Sequence, residues 1–426
     1  MTVAFTDIAG EDHASPRHRA LAELLAAGSL SRAQLARATG LAPSTVTALI
    51  RDLTEEGAVI ELGPVEVRTG ARRRSGPRGT ALSINPRRVA AVGVDYGFRN
   101  VRVLVCDLFA KLLAIRDARL PENYSPEDGL RTAASLVREA VHASGFPPEV
   151  IVGAGVALPG PIDTLERRVV QSDILTGWGG TSADDFSRVL GIPALIENDA
   201  NLAALGEHTW GAAKGHPTTI TVKFHSGIGA GLIVNHQLVT GTRGGAGEIG
   251  HTTVDPRGAV CRCGKRGCLD TFSSVPAILS ALQPRRTGIT VAELLDLLAQ
   301  QDAGAHRVVA DAATLVGQAI GSACLLIAPD SVIVVGAMAR AGEAALAPIR
   351  AAVREAAIPQ VGHVPEVVRG SLGDKHTALG AIALALRHRG WLPLQSTRNA
   401  PEVVPTVDYT PDVRAVASDQ PTAASV

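Results

Sequence analysis

"EIGHTTVDPRGAVCRCGKRGCLD", residues 248–270, gathers three of the chain's five cysteines, one histidine and a carboxylate at either end into one short stretch. His251, Cys261, Cys263 and Cys268 fall within eighteen residues, and Gly264 and Gly267 allow the tight backbone that a clip around one ion requires. Three thiolates and one imidazole complete a tetrahedral zinc shell, and with no open position the zinc expected here is structural. The competing reading is a set of reduced, unliganded thiols. Cysteine normally prefers burial, and here it stands among Arg262, Lys265 and Arg266, which favours the metal. Cys106 and Cys324 lie in apolar runs and read as core residues.

On either side of this stretch, apolar β-branched runs alternate with Ala/Leu-rich helical patterns. AAVGVDYGFRNVRVLVCDL, VIVGAGVALPG, PALIEND and SVIVVGAM read as strand-bearing segments; VREAVHA and the stretch from about Glu343 read as helical. That alternation predicts an α/β fold. A chain of 426 residues, 46% hydrophobic, can bury a large core and suggests two or three domains. Residues 1–16 and 393–426 are rich in small residues and proline and are expected to be disordered tails. The N-terminus is acidic where a signal peptide is basic, and no charge-free apolar run of membrane-spanning length is expected, so the reading is cytoplasmic with no membrane partner.

Charge is balanced overall, 41 basic against 41 acidic residues, but not locally. Residues 17–88 hold twelve Arg, no Lys and six acids, a net of +6 that leaves −6 for the remainder. A basic module on a mildly acidic body points to nucleic acid for the first part alone. Within it, Ser31 and Gln34 form a capping-box pattern, RAQLARAT runs to Gly40, and a second helix follows at once. Val46, Leu49, Ile50 and Leu53 share one face of that second helix, which leaves Ser44, Thr45, Thr47 and Arg51 for the other. This is a helix-turn-helix pattern whose short polar side chains and Arg51 suit a major groove. AVIELGPVEVRTG and GTALSIN can pair as a wing, and ARRRSGPRG between them sets Arg72, Arg73, Arg74 and Arg78 along a phosphate track or a narrow minor groove.

GGAGEIGH (244–251) with CRCGKRGCLD (261–270) closely resembles the signature of the ROK family, which groups sugar kinases with sugar-responsive transcriptional repressors. The resemblance extends over residues 17–392, helix-turn-helix included. It implies an actin-like, two-lobed, ribonuclease H-like α/β body behind a winged helix-turn-helix domain at 17–88. The body would span 89–392, with one lobe at about 89–205 plus a C-terminal helix at 370–390, and the other at about 206–369. It also implies that His251, Cys261, Cys263 and Cys268 bind zinc. In IENDANLAALGE (196–207) it assigns Asn198 to a sugar hydroxyl and Asp199 to the base of a sugar kinase, vestigial if no transfer occurs. A bare helix cap is the alternative role for either residue. Glu248 and His251 resemble the family's sugar-contacting pair. The family's usual Glu after GCL is Asp270 here, one methylene shorter. VALPGPID (156–163) and TGWGG (176–180) resemble segments around the sugar pocket, with Trp178 expected to pack rather than to stack on sugar.

Kinases of the family open with Asp-x-Gly-Gly-Thr, whereas this chain has Asp95-Tyr96-Gly97-Phe98-Arg99. The family's second phosphate loop, Gly-Thr-Gly, is His225-Ser226-Gly227 here, and its Gly-Gly on the adenosine side is Gly336-Ala337. All three changes fall on segments that should touch nucleotide, and phosphoryl transfer depends on positioning and charge stabilisation of the phosphates. The expectation is therefore a sugar-responsive DNA-binding regulator, a homodimer or homotetramer on a palindromic operator, without kinase activity. The alternative is an active ATP-dependent sugar kinase with an accessory DNA-binding module.

Overall fold

The computed structural model describes residues 15–64, 80–121, 124–170, 174–283 and 287–392. The expected tails lie almost wholly outside these, as do Arg72, Arg73, Arg74 and Arg78. The first described unit is α1 (Pro16–Ala27), β1 (Leu30–Ser31), α2 (Arg32–Thr39), α3 (Pro43–Glu55), β2 (Val59–Pro64) and β3 (Thr80–Ile84). Ser31 and Gln34 cap the start of α2 reciprocally, as their spacing predicts, and Gly40 ends it in the left-handed conformation, φ 69°. Pro43 then opens α3, which buries Val46, Ile50 and Leu53. β3 pairs antiparallel with both β1 and β2, so the wing is a three-stranded sheet rather than a lone hairpin.

The body begins with β4 (Ala90–Tyr96), β5 (Asn100–Asp107), β6 (Leu112–Arg119), α4 (Pro126–Ser144) and β7 (Ile151–Leu158). A small hairpin, β8 (Ile162–Asp163) and β9 (Arg168–Val169), precedes α5 (Ala183–Leu190), β10 (Ala194–Asn198) and α6 (Asp199–Trp210). These strands make one sheet in the order β10-β7-β4-β5-β6, parallel among its first three strands and antiparallel beyond. The second half contributes β11 (Thr219–Phe224), β12 (Ile228–Val234), β13 (Gln237–Val239), α7 (Asp270–Ser273), α8 (Val275–Leu282), α9 (Val291–Ala299), α10 (Ala303–Ile327), β14 (Ser331–Val335), α11 (Glu343–Ala356), β15 (Glu366–Arg369) and α12 (His376–His388). Its sheet runs β13-β12-β11-β14-β15. The α/β reading holds, and the strands read within 90–107, 151–158, 194–198 and 331–335 and the helices read at VREAVHA and from Glu343 are present, alongside elements such as β6, β11, β12 and α10 that the sequence reading did not place.

The helices α6 and α12 join the two sheets. α12 lies on β4 and β7, and α6 packs against α12 on one side and β11 and β12 on the other. That approach is too close for side chains: a Cβ at Gly155 would stand 1.9 Å from the Ala381 carbonyl, and one at Gly380 1.6 Å from the Leu202 carbonyl. α6 runs unbroken through residues 205 and 206, so the lobe division expected there falls inside a helix. One apolar core extends from the winged unit (Leu24, Leu35, Ile50, Leu82) through Leu104 and Ala157 of the first sheet to Leu202, Ile382 and Trp391. The winged unit is thus packed onto the body rather than tethered to it.

One expectation needs correction. Residues 312–329 carry no charge, and α10 is long and apolar enough to cross a membrane by length and composition. A buried stripe accounts for part of the composition: Val309, Val316 and Ile320 enter the core of the second sheet, and Gly317 and Gly321 admit Ile349, Ala352 and Ala356 of α11 at close range, whereas Leu325 and Leu326 near the helix end are exposed.

Gly380→Ala is expected to destabilise the chain by about 2 kcal/mol or more, because backbone on both sides leaves the new methyl no room. Chemical denaturation that gave a midpoint equal to wild type would refute the tight α6–α12 seam.

Candidate functional site

β10 ends at Asn198 and α6 begins at Asp199, so two polar side chains stand where a strand gives way to a helix, beside the turns that join the second sheet. Asn198 is the cap of α6: its Oδ1 accepts from the Ala200 and Asn201 amides, and its Nδ2 donates to the Gly160 carbonyl at 3.0 Å. The cap role is therefore real for Asn198. It leaves one amide proton for a ligand. Asp199 faces the opposite sheet, where its Oδ2 accepts from Lys223 Nζ at 2.6 Å. Behind them Glu197 is buried and accepts from the Asn198 amide and from Asn201 Nδ2, which fixes the start of the helix; burial raises its pKa.

All five residues expected at a sugar, Asn198, Asp199, Glu248, His251 and Asp270, line one cleft between the sheets. Burial raises the Glu248 pKa, with Asp199 and Asp270 adding to the effect. Asp270 does not point free into the cleft. Its Oδ1 accepts from the Ile228 amide and its Oδ2 from Arg262 Nη2, both at 2.8 Å, so the shortened side chain ties the loop at 225–228 to the cysteine segment. Sequence reasoning missed Lys223 and Arg262, which line the same cleft. The signal for Lys223 was present, a single charge inside the buried strand TITVKF. Trp178 is buried among Tyr96, Tyr124 and Phe186 and packs in the core.

The cysteine segment is held by its own backbone. The Cys261 amide donates to the Lys265 carbonyl, the Gly264 amide closes a turn onto Cys261, and Gly267 has φ 65° with no space for a Cβ beside the Asp255 carbonyl. The ligand atoms of His251, Cys261, Cys263 and Cys268 all lie within 4.8 Å of one another. Cys261 Sγ is 3.6 Å from His251 Nδ1, and Cys263 Sγ is 3.6 Å from Cys268 Sγ. Ligands about 2.3 Å from a tetrahedral centre stand about 3.7 Å apart, so these edges are of the length a bound ion would need. In the thiol form, burial and the two neighbouring cysteines push Cys268 up to about 12, and a cation would remove that cost by binding thiolates. With Nδ1 turned to the cluster, His251 presents Nε2 toward Glu248 Oε2, 3.9 Å away, at the cleft.

The segments expected to meet nucleotide are occupied differently. The Gly97 amide is spent on the Asn100 carbonyl in the β4–β5 turn, while the half-exposed Phe98 ring lines the cleft. Arg262 Nη2 lies 3.2 Å from where a Cβ on Gly227 would stand, so a guanidinium covers the second loop. Ala337 and Met338, after Gly336, are buried in the core of the second sheet.

On the winged unit, Ser44, Thr45, Thr47 and Arg51 are all exposed along α3. Thr47 donates its hydroxyl to the Pro43 carbonyl at 2.8 Å and keeps its lone pairs, and Arg51 rests on Asp52 at 3.2 Å, an exposed pair that DNA could displace at little cost.

A family model described as "ROK family" matches residues 91–388, and one described as "Winged helix-turn-helix DNA-binding" matches residues 17–60. The chain is 29% identical over 369 residues to a xylose repressor of Bacillus spizizenii, covering 86% of this chain and 94% of that protein. It is 29% identical over 374 residues to the DNA-binding transcriptional dual regulator NagC of Escherichia coli, covering 84% and 89%. Among solved structures, a ROK family transcriptional regulator homologous to the E. coli MLC protein superposes with a TM-score of 0.74 over 89% of this chain and 98% of that one; at 21% identity this likeness is one of fold. A ROK family glucokinase from Streptomyces griseus, solved with glucose and AMPPNP, is 26% identical with a TM-score of 0.64, over 70% of this chain and 99% of the glucokinase.

The purified chain is expected to carry about one metal ion, and Cys263→Ser to lose it together with several kcal/mol of stability. Native mass spectrometry of wild type that found no ion would remove the metal reading.

Proposed function

The chain belongs to the ROK family, and we propose that it is a sugar-responsive transcriptional repressor acting in the cytoplasm, with the winged unit near 17–88 on DNA and the body near 89–392 as the sensor. The observation that carries this reading is the union of two sites in one chain: a DNA-facing helix with an exposed polar face, and a cleft that assembles Asn198, Asp199, Glu248 and His251. Ser44, Thr45, Thr47 and Arg51 would read base edges or phosphates, joined by Arg72, Arg73, Arg74 and Arg78. Relatives named for xylose and N-acetylglucosamine make a monosaccharide of that kind the candidate effector.

In the cleft, Asp199 would accept from one sugar hydroxyl while the Asn198 amide and Lys223 donate to its neighbours; Glu248 and His251 Nε2 would take the other edge. The ion at His251, Cys261, Cys263 and Cys268 is proposed to be zinc, from its three sulfur donors and one nitrogen; bound there, it would fix the imidazole. Sugar binding changes DNA affinity only through a difference in free energy between two arrangements of the lobes. A two-fold homodimer or larger homo-oligomer on a palindromic site would let a small lobe rotation move paired recognition helices out of register. Kinase activity is proposed to be absent; supporting this, the Gly97 amide is spent on Asn100, and the Phe98 ring and the Arg262 guanidinium stand at the segments that resemble the family's phosphate loops. The intact Asp199 and the likeness to a glucokinase favour the opposite reading, and a coupled ADP-release assay over hexoses, pentoses and N-acetylhexosamines decides between them. Clear turnover would establish the kinase.

Mapping of bound DNA across the genome is expected to find the chain beside genes of carbohydrate uptake or catabolism; binding without such neighbours would contradict the effector class. Asp199→Ala is expected to abolish release of that DNA by D-xylose or N-acetyl-D-glucosamine, whichever acts on wild type, while DNA affinity stays within about twofold. Thr45→Ala with Arg51→Ala is expected to weaken operator binding by about tenfold or more. Unchanged release in the first variant, or unchanged affinity in the second, would move the respective site elsewhere.

A further inference from the structure

β11 is buried at Thr219, Ile220, Thr221, Val222 and Phe224 and carries one charge, Lys223. Its ammonium donates to Asp199 Oδ2 at 2.6 Å, and the pair is largely withdrawn from solvent, with 18% and 17% of the side chains exposed. A second carboxylate, that of Asp95 at the end of β4, acts on the same ammonium through its charge without an ion pair of its own to it. Burial pushes the Asp95 carboxyl up to about 6, and among the charges acting on it the Lys223 ammonium, which lowers it, is the largest. The three groups come from three elements: Asp95 from the end of β4 in the first sheet, Asp199 from the start of α6, and Lys223 from the second sheet. Carboxylates converging on one point beside glycine-bearing turns are what hold a divalent cation against phosphates in phosphoryl-transfer sites. In this chain a covalently attached cation is bonded to one such carboxylate, Asp199, and lies within the field of Asp95.

We propose that Lys223 sets the ligand class of the cleft: as a built-in counter-ion bonded to Asp199 it takes the place of a divalent cation, so that the cleft receives an uncharged polyol with neither metal nor nucleotide. The other strong cation lining the cleft, Arg262, is paired with Asp270, and Glu248 adds a further acid, so an anionic ligand meets no spare positive charge among the described residues. The identity of the polyol rests on the sugar reading given above; the role of Lys223 does not.

The test uses the full chain with its cysteine cluster loaded, and Mn2+ as the probe, followed by electron paramagnetic resonance and calorimetry. Wild type is expected to show no Mn2+ site in the cleft. Lys223→Met is expected to gain one at least about tenfold tighter than any wild-type site, and Asp95→Asn in that background to remove it. If Lys223→Met does not fold, Lys223→Gln removes the charge while keeping length and hydrogen bonding. Inorganic phosphate titrated into wild type is expected to give no saturable heat. Equal Mn2+ binding by wild type and variant, no gain in the variant, a gain that survives Asp95→Asn, or phosphate binding abolished by the Lys223 variant would each overturn the proposal. The expected Mn2+ pattern in a chain that answers to no sugar would instead fail the sugar reading and leave the counter-ion in place.

Discussion

The cleft depends on one side chain with two obligations. His251 turns Nδ1 to the cysteine cluster and Nε2 to the cleft beside Glu248, so the orientation of an imidazole at the cleft is tied to the Cys261 sulfur behind it. Around it the links continue: Arg262, between two of the cysteines, holds Asp270, and Asp270 holds the Ile228 amide. The cluster, the cleft wall and the loop at 225–228 therefore form one mechanical unit. A disturbance of the cysteines reaches the pocket through two or three contacts, none of them long.

The opposite wall is fixed by packing. α6 supplies Asn198 and Asp199 at its N-terminus and is wedged between α12 and the second sheet, where glycine is the one residue the spacing admits at 380. α12 in turn belongs to the core that reaches the winged unit. Movement of the second sheet relative to the first would thus be felt at the DNA-facing helix through packed side chains, a route that a flexible linker would not offer. The change in DNA affinity that a ligand could cause is bounded by its difference in affinity for the two lobe arrangements.

Much of this was legible in the sequence for local reasons. Strand and helix alternation, the capping box at Ser31 and Gln34, and the buried stripe of α3 follow from short-range rules, and each stands in the fold where those rules place it. The clustering of His251, Cys261, Cys263 and Cys268 was legible because all four fall within eighteen residues. What escaped was long-range pairing. That Lys223 would meet Asp199 depends on the docking of elements from two sheets, and that Arg262 would meet Asp270 and the Gly227 loop depends on how the cysteine segment folds back on the β11–β12 turn; no periodicity encodes either. The uncharged stretch at 312–329 escaped for the opposite reason: a helix packed on one side in a protein core and a membrane helix share composition, and the packing of Val316, Gly317, Ile320 and Gly321 is visible only in the fold.

The reading proposed for this cleft is one of donors and acceptors for hydroxyl groups without a grip on phosphates. The most direct measurement is the fluorescence anisotropy of a labelled operator fragment bound to the chain while sugar is added in buffer free of nucleotide and magnesium. The account predicts a fall in anisotropy at saturating sugar, with no further change when ATP and magnesium follow. Release that requires ATP, or ADP forming as the DNA leaves, would contradict it.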